Sequence, residues 1–437
     1  MRAATLAGAG ALGLILVSQA AAITPIPPKP QARPLAIVGG TVFPVTGPPI
    51  ENGTVVIENG RISAVTGRMS VPADAEVVDA KGLSVYPGFV SAHTVLGMTE
   101  VGSVRQSNDY EEVGALNPNA RAMVVLNPDS ELLPVARANG VLTALAVPRG
   151  GRLSGLSALF HLDGWTFEEM TILSPAALHL QWPAMGVNRA PEAKPPVEEQ
   201  LAGRARTLAE LDQLFADARA YWTARDAATG GAPRVEFDPR WDAMGPVLAG
   251  KTPVVVHASD LRQIRAALDW ADRQRVRLII AGGYDAPEAA AELKAREVPV
   301  ITQGLLAQPL RDWEPYDHAY TLPARLLAQE VTFCISTGGE AANERNLPYH
   351  AAMAWSYGLP HDEAMKAITL YPAQILGVGD RLGSLEVGKE GTVCLWDGDP
   401  LDIRSHVTRA FIEGREIDLE TRHTRFYAKY KDREVAR

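Results

Sequence analysis

The feature that most constrains this chain is a repeated alternation between about residues 85 and 377. Short apolar runs with the length of a buried strand are separated by stretches with helical periodicity. The strands read as Val141–Val147, Ala177–Leu180, Pro253–His257, Arg277–Ala281, Val298–Thr302 and Val331–Ser336. Between them, Leu208–Ala227 and Leu261–Arg275 carry apolar residues three to four apart, with Leu261, Ile264, Leu268 and Ala271 on one face. Strands alternating with helices predict an α/β fold with a parallel sheet. Close to eight such units over about 290 residues predict a (β/α)8 TIM-type barrel, with an open doubly wound sheet as the alternative.

The flanks read differently. Residues 35–84 and 378–417 are short β-rich runs and turns, with Asn59-Gly60 as a hairpin signal, and they are expected to meet as one small composite β-sandwich beside the barrel at 85–377. The charged tail 418–437 is expected to carry a surface helix. At the other end, Arg2, the apolar run Leu6–Val17 and Ala20-Ala21-Ala22 make residues 1–22 an export signal. The apolar run is too short to span a bilayer, which takes roughly 20 residues. Residues 23–34 hold Pro25, Pro27, Pro28, Pro30 and Pro34 and read as an extended linker. The mature protein is therefore expected in the periplasm or outside the cell.

A net charge of −9 without a long block of either sign leaves no electrostatic footprint for nucleic acid or an anionic membrane, so the expected partner is a small molecule. A homo-oligomer or a related catalytic subunit remains open. The two cysteines, Cys334 and Cys394, lie in separate apolar runs and are expected to stay unpaired in the core.

Three segments carry a family resemblance over nearly the whole mature chain: Tyr86-Pro-Gly-Phe-Val-Ser-Ala-His93; Ala367-Ile-Thr-Leu-Tyr-Pro-Ala373; and Leu382-Gly-Ser-Leu-Glu-Val-Gly-Lys389 leading to Trp396-Asp-Gly-Asp-Pro400. Together they resemble the metal-dependent amidohydrolase superfamily, within it the bacterial imidazolonepropionase-like and dipeptidase-like branch. The resemblance implies a barrel with metals at the carboxyl ends of its strands. It also implies hydrolysis of amide or cyclic amide bonds by a metal-bound water whose proton passes to an Asp.

Carried over residue by residue, the family's site is incomplete. His93 matches the first ligand of the strand 1 H-x-H pair, but Val95 stands where the second belongs, and Ser91 where the family often has Asp. His257 matches the strand 5 ligand. Gly282 replaces the strand 6 His, and Gly338 replaces the strand 8 Asp. No Lys occurs between Arg152 and Lys194, so strand 4 offers His179 and Gln181 instead of a carboxylated lysine. Two imidazoles fall short of the three protein ligands usual for catalytic zinc, and His179 is the candidate third. The expected cofactor is at most one divalent metal, zinc before others, or none.

Replacement carboxylates for base chemistry are Glu100, Glu340 and Glu344 in loops expected to open on the catalytic face, with Asp260 a cap before it is a base. Arg149 and Arg345 are candidates to hold a substrate carboxylate. Two readings follow: an exported hydrolase of non-peptide C–N bonds with a reduced metal site, or a metal-free pseudoenzyme that binds a ligand or supports a partner subunit.

Overall fold

The computed structural model describes residues 26–67, 71–230 and 233–433, so the export signal expected at 1–22 lies outside them. The strands are Leu35–Val42 (β1), Ile50–Glu58 (β2), Arg61–Thr66 (β3), Glu76–Asp79 (β4), Ser84–Pro87 (β5), Phe89–Thr94 (β6), Val141–Ala146 (β7), Leu153–Leu156 (β8) and Ala158–His161 (β9). They continue as Thr171–Leu173 (β10), Leu178–Gln181 (β11), Val254–Ala258 (β12), Leu278–Gly282 (β13), Val300–Gly304 (β14), Phe333–Ser336 (β15), Val393–Trp396 (β16), Val407–Ile412 (β17) and Arg415–Ile417 (β18).

Both ends of the chain build one eight-stranded sheet in the order β18-β17-β16-β5-β1-β2-β3, with β4 on β1. This is a single branched sheet, where a sandwich of two sheets was expected from the sequence. Asn59 and Gly60 turn β2 into β3 with φ of +52° and +76°, the left-handed pair that a two-residue hairpin needs. The tail carries the helix Arg422–Tyr430, started by a capping box between Thr421 and Thr424.

The α/β body holds the order β10-β9-β7-β6 in one sheet and β15-β14-β13-β12-β11-β8 in another. From β11 to β15 every pairing is parallel. The strand that follows β7 corrects the all-parallel expectation. Residues 153–161 form one strand interrupted at Ser157, and it runs antiparallel to both neighbours: β9 to β7 and β8 to β11. The physical reason is length, because only residues 147–152 separate β7 from β8 and a parallel crossover takes a dozen or more residues. This strand carries the chain from one sheet into the other. On the far side β6 and β15 approach through the Thr94–Gly339 bridge, where Val95 N–H donates to the Gly339 carbonyl at 3.1 Å.

Alternation along the strands sorts their side chains into two cores. Val255 joins Val90, Leu145, Leu159, Ile279, Ile301 and Cys334 in a cluster to which seven strands contribute. Its neighbours Val254 and Val256 join a second cluster with Leu268 and Trp270 of the helix Leu261–Gln274. That helix is amphipathic as the spacing predicts, and Asp260 and Gln263 cap it reciprocally, which makes Asp260 a structural cap and not a base. Cys334 and Cys394 are buried and unpaired. Among the described residues no helix is long and apolar enough to cross a membrane.

Candidate active site at the carboxyl ends of the strands

His257 is the fourth residue of β12 and has the parity of Val255, so it continues the inner side of its strand toward the carboxyl end. His179 on β11 pairs with Val255, one step below, and follows the parity of Ala177 in the same cluster. The two imidazoles meet directly, with His179 Nδ1 and His257 Nε2 3.1 Å apart. His93, near the end of β6, stands with its ring centroid 5.3 Å from that of His257. His179 is completely buried, and its Nε2 has no hydrogen-bond partner.

Arg149, on the link between β7 and β8, completes the group. Its Nη2 donates to the Gly339 carbonyl at 2.9 Å and its Nη1 to Glu340 at 2.8 Å. Its guanidinium carbon lies 5.6 Å from the Tyr110 ring centre. Gly339 is required here: its φ is +92°, and a Cβ would come within 2.7 Å of both His93 Nδ1 and Arg149 Nη2.

Electrostatics keep the three histidines neutral. Burial, with the Arg149 charge behind it, pushes His93 down to about 4. Burial together with His93 and Arg149 pushes His257 down to about 3, and burial beside the other two holds His179 well below its ordinary value. At neutral pH the imidazoles are hydrogen-bonding groups and lone-pair donors without charge.

The remaining sequence candidates fare differently. Val95 is buried. Gly282 and Gly338 have φ of +100° and +94°, and a Cβ on Gly282 would stand 2.8 Å from Ser259 Oγ. At both positions the backbone lies in the region that L-residues avoid. Glu100 accepts from Asn127 at 3.1 Å and makes no contact with the histidines. Glu340 is exposed and engaged by Arg149. Arg345 is exposed, and its carbonyl accepts from Asn139 before β7, so it is not part of the histidine group. Glu344 was expected on an open loop and is instead completely buried, where it accepts from Thr337 at 3.0 Å. Burial pushes its carboxyl up to about 7, against hydrogen bonding from Ser91, Thr94 and Thr337.

The donor set can be tested against the metal centre that the family resemblance implies. Two ions bridged by a carboxylate need more donors than three imidazoles. For one ion, His179 and His257 have suitable spacing, since two imidazole nitrogens on a tetrahedral zinc lie about 3.3 Å apart. His93 does not complete that set. Among the described residues, two other groups bring three ligand atoms within 4.8 Å of one another, His161–Glu390–Glu413 and Asp285–Glu314–His318, and the histidine trio is not one of them. In this arrangement the trio fits neither a two-ion centre nor a three-ligand single ion.

Comparison with known proteins supplies the context for this geometry. Residues 318–424 match the amidohydrolase family. The amidohydrolase tasK of Hapsidospora irregularis is 23% identical over 394 residues, which is 83% of this chain and 39% of that protein. An imidazolonepropionase of Shewanella baltica is 49% identical over 41 residues, 9% of this chain and 10% of its own length. The chain therefore spans well under half the length of the first of these relatives and matches a short stretch of the other. Among solved structures, an amidohydrolase from Thermotoga maritima superposes with a TM-score of 0.79 at 26% identity, covering 88% of this chain and 99% of that one. Together these findings support the amidohydrolase superfamily for this chain, by sequence over residues 318–424 and by fold over most of its length.

Proposed function

We propose that this protein hydrolyses a non-peptide C–N bond in a small amide or cyclic amide at the strand-end mouth formed by His93, His179, His257 and Arg149. The observation that carries the reading is the meeting of three neutral imidazoles and one anchored guanidinium at the carboxyl ends of the strands. That is where ligands enter folds of this kind. We read the body as a (β/α)8-type barrel with one reversed stave, supported by the seven-strand inner cluster and the Thr94–Gly339 contact. Export to the periplasm completes the proposal and rests on residues 1–22.

Within this reading Arg149 orients the substrate by its planar N–H groups, and the imidazoles hydrogen-bond to the carbonyl or to the attacking water. Their low proton affinity makes them weak bases at neutral pH. Without a positioned base of matched affinity the reaction runs slowly, by roughly 10² to 10⁴ relative to a complete site. The decisive experiment combines elemental analysis of protein purified without chelator with hydrolysis assays on hydantoin, dihydrouracil and N-acetylglycine, with and without added Zn²⁺. Turnover that falls in His257→Ala supports the proposal. Binding of these compounds without turnover under any condition sinks it in favour of a second reading, a metal-free ligand-binding member of the superfamily. The left-handed glycines at 282 and 338 favour that second reading.

A further inference from the structure

Among the described residues Arg149 is the cation that stands beside the histidine group: it and His93 flank Gly339, and its charge bears on both His93 and His257. Its backbone is fixed, with the amide donating to the Tyr110 carbonyl at 2.7 Å. Its guanidinium is fixed as well, by the Gly339 carbonyl and the Tyr110 ring. Of its five N–H groups two have protein acceptors among the described residues, one on Gly339 and one on Glu340. A carboxylate docking on the Nη1–Nη2 edge needs one N–H from each nitrogen in parallel, and Glu340 already takes Nη1, so a bidentate partner on that edge competes with it.

Its present partner is weakly held. The Glu340 side chain is 66% exposed and the Arg149 side chain 29%. A pair of that kind gains little over two hydrated ions and is screened by salt. A ligand carboxylate arriving from the histidine side would meet the same guanidinium in a less hydrated place, where the attraction is stronger.

We propose that Glu340 is an internal stand-in for a substrate carboxylate: the site takes amides that bear a carboxylate, and the incoming group displaces Glu340 from Arg149. This rests on the mouth being the substrate site and changes the role of Glu340 from candidate base to competitor. Glu340 is not consumed in any step. It swings to solvent and re-pairs when product leaves.

The test uses the full mature chain and two probes that differ only in charge, N-acetylglycine and its uncharged amide N-acetylglycinamide, with binding measured by calorimetry at low salt. The wild type should prefer the anion. Glu340→Gln should bind N-acetylglycine roughly threefold more tightly and leave N-acetylglycinamide unchanged. Arg149→Met should lose about tenfold on the anion alone, with Arg149→Lys between the two because it keeps charge but loses the fork. No preference in the wild type, or unchanged or weaker anion binding in Glu340→Gln, overturns the proposal, and the glutamate variant decides it even if an arginine variant misfolds. Turnover without a carboxylate preference would remove the stand-in and leave the hydrolase reading in place. Glu340-tuned binding with no turnover would do the opposite.

Discussion

The two ends of the α/β body use polar side chains in opposite ways. At the amino ends of the strands, Arg137 pairs with Asp163, their side chains 4% and 3% exposed, and Arg137 also donates to the Leu162 carbonyl. Nearby, His161 Nε2 lies 3.1 Å from Glu390, whose other oxygen takes Arg381 Nε at 2.7 Å. The buried carboxylates of Asp163 and Glu390 thus meet the guanidinium groups of Arg137 and Arg381, and Glu390 ties the body to the composite sheet through its bridge to Arg61. At the carboxyl ends the histidines are neutral, His179 leaves a buried nitrogen without a partner, and the ion pair of Arg149 is open to water. The difference is one of partnering: the Arg137 charge is met by an opposite charge, whereas the histidine group is neutral and leaves His179 Nε2 with none.

That contrast can be broken most directly at the amino end. Asp163→Ala leaves a buried, unpaired Arg137 and should cost about 3–5 kcal/mol, read from urea unfolding. A loss below about 1 kcal/mol would show that this end does not carry the stability assigned to it. Acid should next find the carboxyl end. His350, buried and accepting from the Leu305 amide at 2.9 Å just past β14, is pushed down to about 4 by burial. Its folded value lies below its unfolded one, so the unfolded chain binds more protons between about pH 6.5 and 4, and stability falls as the pH is lowered through that window. The contribution is about 3 kcal/mol at most, and His350→Gln should flatten the fall of melting temperature with acid. An unchanged slope would assign the acid sensitivity elsewhere.

Smaller effects sharpen the comparison at the rim itself. Gly338→Asp places a carboxylate on the rim at φ +94° and should cost roughly 1–2 kcal/mol without raising the metal content. A second bound ion in that variant would mean the rim rebuilds easily and the glycine is incidental. His257→Ala should change stability least, by about 1 kcal/mol, while removing hydrolysis of the probe amides. Retained turnover would detach the chemistry from the histidines.

Much of the body was legible in the sequence because buried strands announce themselves by apolar runs. Val254–Ala258 and Leu278–Gly282 lie within one residue of where the runs place them. Direction was not legible from composition, since an apolar run reads the same both ways. The six residues between Ala146 and Leu153 were the available signal for the reversal, and loop length is what expresses it. His93, His179, His257 and Arg149 stand at strand ends, so their meeting depends on topology that the repeat already suggested. Glu344 had no signal. Its burial depends on the turn Ala341–Asn346 packing against β6 and the helix Leu132–Arg137, which no local pattern encodes. The positive φ values at Gly282 and Gly338 were equally hidden, because glycine in a sequence marks freedom without saying how it is used.

The reversed strand has a consequence for how the chain finds its fold. Thr143 pairs with His161 only 18 positions away, whereas His179 must find Val255 across the 33-residue helix Val197–Thr229. Closing a short loop costs less entropy than closing a long one, so residues 141–161 can zip early and offer β6 and β11 a ready edge on each side. Pulse-labelled amides in this segment should gain protection before those of β12. If β12 is protected first, assembly begins among the parallel strands and the hairpin is a late addition.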